Sequence, residues 1–116
     1  MRLRHSVAAA LGALTLVLTL PIPAHAAEGE FSYSFVGLDG RPQRAVLTDL
    51  PGRECVALPE VADPGSSVPA FAPRNDTDAV AVVFTEPDCT GHSFPLRPHG
   101  GHGSDRLKLR SVVFFG

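Results

Sequence analysis

The chain has little of what marks most functions. Of 116 residues, 10 are Lys or Arg and 12 are Asp or Glu, a net charge of −2 with His neutral. The basic footprint of a nucleic-acid binder is therefore missing. No GxSxG and no HExxH motif occurs, which removes two widespread hydrolytic chemistries. Cysteine is down to two residues, with no CxxC spacing between them. Only one long apolar run exists, Val7–Leu20, and it is shorter than the roughly 20 residues of a membrane span.

That run lies in an N-terminus with three parts. Met1–His5 is a short basic head, Val7–Leu20 is uncharged, and Pro21–Ala26 ends on the small-x-small pair Ala24 and Ala26. This is the pattern of a secretory signal peptide cut between Ala26 and Ala27. The expected division is a leader over 1–26 and a single β domain over 27–116. The mature product is expected to be extracellular, with no membrane contact after cleavage. Arg2 and Arg4 leave with the leader, so 8 basic residues face all 12 acids and the net charge becomes −4. The mature part keeps 9 of 11 prolines and 10 of 11 glycines. Such density excludes long helices, because Pro lacks a donor and Gly costs about 1 kcal/mol per helical position.

Cys55 and Cys89 both fall in the mature part. In an exported domain of this size, two cysteines most simply form one disulfide. A two-cysteine metal site and a redox pair are the rival arrangements, and both want the missing CxxC spacing. Closing a loop of 34 residues would stabilise the fold by about 3–4 kcal/mol on the chain-entropy account.

Along the mature chain, Phe31–Val36 alternates apolar and polar, the signature of a half-buried strand. Arg44–Leu50 and Glu54–Leu58 are further strand candidates, separated by the Pro51-Gly52 turn. Residues 59–73 hold prolines 59, 64, 69 and 73 and read as a long irregular connection, with a short strand at Val68–Phe71. Ala79–Phe84 is the most hydrophobic run and fits a fully buried strand. Ser93–Leu96 is another strand, Pro98–Ser104 a glycine-rich loop, and Leu107–Phe115 a final strand entering the core, with Phe114 and Phe115 expected inside. About seven or eight short strands broken by turn signals predict an all-β sandwich or barrel.

Two segments share a skeleton. Tyr33 and Phe84 are each followed after five positions by an apolar residue, Leu38 and Cys89, and after seven by a glycine, Gly40 and Gly91. The spacing suits an aromatic residue under a tight hairpin whose glycine takes a positive φ. The repeat points to a duplicated Greek-key unit. The second copy continues with Ser93, Leu96 and the strand Arg110-Ser111-Val112-Val113, and in this it resembles the βγ-crystallin superfamily. Pro87 and the linker-like Asn75-Asp76-Thr77 add to the resemblance. It covers Val82–Phe115 well and Phe31–Phe71 poorly, since the first unit's serine strand is not recognisable. The resemblance implies a Greek-key β-sandwich of two four-stranded units, with Cys55–Cys89 tying the first unit to the hairpin of the second inside the sandwich. Another small Greek-key or immunoglobulin-like sandwich is the alternative.

Microbial members of that family often bind calcium, but Arg106 and Leu107 stand where the resemblance requires acids, and calcium wants six to eight oxygens. His99 and His102, with Asp105 behind them, are the residues nearest to a zinc or copper set. Nothing in the sequence fixes their orientation, so no metal and no cofactor is expected. Asn75-Asp76-Thr77 is also a glycosylation sequon, read here first as a turn. The scattered acids suit a solvated surface, and no enzyme is expected. The function expected is a secreted, disulfide-stabilised binding or structural domain with a protein partner. The alternative, implied by secreted metalloproteinase inhibitors of similar fold, is a protease inhibitor acting through the proline-rich 59–73 loop, with a secreted protease as partner.

Overall fold

The computed structural model describes residues 27–116; the expected leader lies outside the described residues. They form nine strands and one 3-10 turn, with no α-helix among them. The strands are β1 (Ala27–Val36), β2 (Pro42–Leu50), β3 (Val56–Ala57), β4 (Ala70–Thr77), β5 (Val80–Phe84), β6 (Ser93–Leu96), β7 (Gly101–His102), β8 (Lys108–Leu109) and β9 (Ser111–Phe115). They build two antiparallel sheets. The first has the order β2-β1-β4-β7, with β8 also on β4, and the second has the order β3-β9-β5-β6. The all-β expectation therefore stands.

Each half of the chain lends its third strand to the other half's sheet. β3 from the first half pairs with β9, and β7 from the second half pairs with β4. Neither half can close its core alone. The core sits between the layers, where the rings of Phe31 on β1 and Phe114 on β9 meet edge-to-face at a centroid distance of 5.5 Å. Both are fully buried, which places Phe114 as expected and leaves Phe115 outside, 45 % exposed.

Several elements differ from the expectations above. Residues 59–73 are not one irregular connection, because β4 begins at Ala70. Asn75-Asp76-Thr77 is the end of that strand and not a turn, with Asn75 and Thr77 buried between the layers. Ala79–Phe84 is not buried throughout: within β5, Ala81 and Val83 face the core while Val80, Val82 and Phe84 are half-buried on the outer side. The glycine-rich 98–104 segment contributes β7, and the last strand is interrupted at Arg110.

The junction between the halves is held by Asn75. Its carboxamide nitrogen donates to the carbonyls of Ala79 at 2.8 Å, Leu96 at 3.1 Å and Arg97 at 3.0 Å. Its Oδ1 accepts the Thr77 hydroxyl at 2.6 Å, and the Thr77 oxygen accepts the Ala79 amide at 3.2 Å. A buried carboxamide serves here because it supplies donors and an acceptor at once.

The two hairpin glycines both have positive φ, +78° at Gly40 and +83° at Gly91. Their surroundings differ. A Cβ on Gly40 meets nothing within 4 Å, whereas one on Gly91 falls 2.3 Å from Thr85 Oγ1. Gly40→Ala is expected to cost about 1–2 kcal/mol, the left-handed penalty alone. Gly91→Ala should exceed that in paired denaturant titrations; equal costs would contradict the packing of the second hairpin.

Candidate functional site

The clearest constructed feature of the surface is the loop between β3 and β4. Pro59 starts a 3-10 turn over Pro59–Val61, where its missing amide is no loss. Leu58 and Val61 turn inward and are buried. Asp63 then organises the tip. Its Oδ1 accepts the Gly65 amide at 2.9 Å, its Oδ2 accepts the Ser66 hydroxyl at 3.0 Å, and its carbonyl accepts the Ser66 amide at 3.2 Å. Ala62–Ser66 are exposed, so the tip is ordered by its own hydrogen bonds while facing solvent.

Two side chains hold the loop from beneath, one beside each sheet. Arg110 lies between β8 and β9 and is only 6 % exposed. Its guanidinium donates to the carbonyls of Val61 at 2.9 Å and Ser67 at 2.8 Å, and to the Ser67 hydroxyl at 3.0 Å. No carboxylate among the described residues pairs with it, so its charge is met by main-chain and hydroxyl oxygens. Tyr33, buried on β1 between the rings of Phe31 and Phe35 at 6.1 and 6.5 Å, donates its phenol proton to the Glu60 carboxylate.

Burial, the hydrogen bond to Glu60 and that group's negative charge all hold the Tyr33 phenol above the ordinary tyrosine range. The linkage follows from that direction. Above about pH 10 an unfolded tyrosine loses its proton while the folded one keeps it, so stability is full below that pH and declines as pH rises beyond it. Tyr33 is the only tyrosine. Its tyrosinate absorbance is therefore expected to appear together with loss of folded structure in an alkaline titration. Ionisation at ordinary pH in the folded chain would contradict the Tyr33–Glu60 contact.

The second constructed feature is the β5–β6 hairpin, residues 85–92. Alternation puts Ser111 on the outer side of its sheet, yet it is 0 % exposed, because this hairpin folds back over it. The Ser111 hydroxyl donates to the Glu86 carbonyl at 2.5 Å and accepts the Cys89 amide at 3.0 Å. Cys89 is bonded to Cys55 with the sulfurs 2.07 Å apart. The bridge is present, but not inside the sandwich as expected. Cys55 is exposed and Cys89 half-buried, and the face of β3 shared by Cys55 and Ala57 points outward.

The first hairpin lacks this arrangement. On β4, Ala72 and Pro73 lie opposite Tyr33, at a break in register between Ser32 and Ser34, where the second half has Ser111 opposite Phe84. No serine is there to hold the 37–40 turn. Leu38, which holds the place of Cys89 in the repeat, is fully exposed. Tyr33 lies in the core and not beneath its hairpin.

His99 and His102 are both exposed, and the His102 Nδ1 lies 3.1 Å from the Gly100 carbonyl. Among the described residues, no group of three or more His, Cys, Asp or Glu side chains is gathered as a metal site, Asp105 included. No helix among them is long and apolar enough to cross a membrane. Ser93 pairs with Phe84 in the hairpin ladder. Arg110 was not among the residues the sequence singled out as a site. Its signal was a charge set between Leu109 and the apolar run Val112–Phe115. Compared with known proteins, the chain matches no family description, no curated protein and no solved structure.

Proposed function

We propose that the mature chain is a secreted, non-catalytic binding domain of βγ-crystallin-like Greek-key architecture, with the 58–69 loop as its contact surface. The Greek-key reading is supported by strand order. In each half the last strand returns beside the first, β4 beside β1 and β9 beside β5, as the closing strand of a Greek key does. The folded-back hairpin with Gly91, Ser111 and Cys89 supports the crystallin-like part of the reading. Secretion is supported by the disulfide, a bond that persists in oxidising compartments.

The observation that carries the binding reading is a loop whose tip is exposed while its base is fixed by Arg110 and Tyr33. A surface ordered before contact loses little conformational entropy on binding. The same rigidity favours protease inhibition as a second reading. The tip, however, is turned: a 3-10 turn and a hydrogen-bonded Asp63–Ser66 turn occupy the stretch that would have to enter a cleft.

The two readings separate when the protein is incubated with thermolysin-like and subtilisin-like proteases at equimolar ratio. The binding reading expects full protease activity and an uncut loop. Stoichiometric loss of activity would establish the inhibitor instead. Rapid cutting at 62–66 would remove the rigid surface on which both readings rest.

A further inference from the structure

The outer face of the first sheet has no role in the loop reading. Phe31 and Tyr33 of β1 point into the core, so Ser32 and Ser34 point out, and register extends that face across all five strands of the sheet. One row runs Val46, Ser32, Arg74 and His102, and the next runs Arg44, Ser34, Phe71 and Lys108. These two rows hold three permanent cations and no acid. They do so in a mature chain whose net charge is −4. The acids Glu30 and Asp76 occupy the row beyond, where Asp76 meets Arg74 Nε at 2.8 Å.

The hydrogen bonds give the face a single polarity. Arg44 lies flat across it, with Nη1 donating to the Ser34 hydroxyl and the Ala72 carbonyl, and Nη2 to the Ser32 hydroxyl. Each serine oxygen is used as an acceptor, and neither serine hydroxyl donates to an acceptor among the described residues, which leaves both free to donate to a ligand. Arg44 keeps further N–H groups beyond those three bonds. Lys108 sits over the Phe71 ring at 5.0 Å and donates to the Asp105 carbonyl at 2.7 Å. The centre of this face therefore offers donors and positive charge and asks for acceptors and negative charge.

We propose that this face binds an acidic polysaccharide, with carboxylates on Arg44 and Lys108 and sugar hydroxyls on Ser32 and Ser34. Arg44 and Lys108 lie three inter-strand spacings apart, roughly 14 Å, which suits a polymer whose charges are widely spaced. Nucleic acid fits less well. Duplex DNA carries one charge per about 1.7 Å, a density that three cations on this face do not match.

Affinity electrophoresis of the protein purified after expression of the full chain tests the proposal, with polygalacturonate, neutral dextran or double-stranded DNA in the gel. Retardation is expected with polygalacturonate at low salt and not with dextran, and it should fade as salt screens the contacts. Arg44→Gln/Lys108→Gln should raise the apparent Kd about tenfold or more, equal to roughly 1.4 kcal/mol, with thermal unfolding unchanged. Arg41→Gln removes the same charge at the hairpin tip and should leave binding intact. If the double variant fails to fold, Ser32→Ala/Ser34→Ala carries the test with the same expected direction. No retardation by polygalacturonate, an equal loss with Arg41→Gln, or retention by DNA as strong as by polygalacturonate would overturn the proposal.

Discussion

Replacing Cys55 and Cys89 together by alanine is expected to lower stability by about 2–5 kcal/mol and the midpoint of thermal unfolding by more than about 10 °C. The bond closes a sequence separation of 34 residues, which limits the unfolded chain. It also joins the approach to β3 with the folded-back hairpin at Cys89, whose backbone takes a φ of 59°. A left-handed residue other than glycine stays in place only where its surroundings hold it, and here the disulfide and Ser111 both do. Reduction of the wild-type chain should reproduce the effect in calorimetry. A reduced protein melting at the oxidised temperature would show that Ser111 and the sheet hold the hairpin unaided.

Arg110→Met should show the second large effect. The substitution retains much of the aliphatic volume and removes the donors serving Val61, Ser67 and the Ser67 hydroxyl. Hydrogen bonds to a charged group contribute about 1.5–3 kcal/mol each, and a buried carbonyl left without its donor adds a desolvation penalty. A net loss of about 2–4 kcal/mol is expected, measured by denaturant titration. Limited proteolysis should then cut first within residues 62–67. Unchanged stability with an uncut loop would mean that Tyr33 and the Asp63 turn suffice to hold it.

The elements legible in the sequence were those governed by local period and turn chemistry. Alternation in Phe31–Val36 marked β1, and the apolar run ending at Phe84 marked β5. Gly40 and Gly91 marked the hairpins, where both take positive φ. What was not legible depends on contacts between segments distant in the chain. Asn75-Asp76-Thr77 has the composition of a turn, yet Asn75 can be buried because Ala79, just before β5, and Leu96, at the end of β6, bring carbonyls to its carboxamide. Cys55 alternates correctly with Ala57, but no local signal tells an inward face from an outward one, and the fold turned it outward. Arg110 was legible as a member of the last strand but not as a tether for the loop. Its partners lie 43 and 49 positions away, so its role emerges only when the proline-rich loop is laid over the end of β8.

The central claim is that the exposed tip, residues 62–66, is fixed in advance by buried partners on either side of it. Backbone amide order parameters from NMR relaxation test it most directly. The account predicts values near 0.85 at Val61, Gly65 and Ser66, matching the flanking strands, and a fall at these positions alone in Arg110→Met. Values below about 0.6 in the unaltered protein would contradict it.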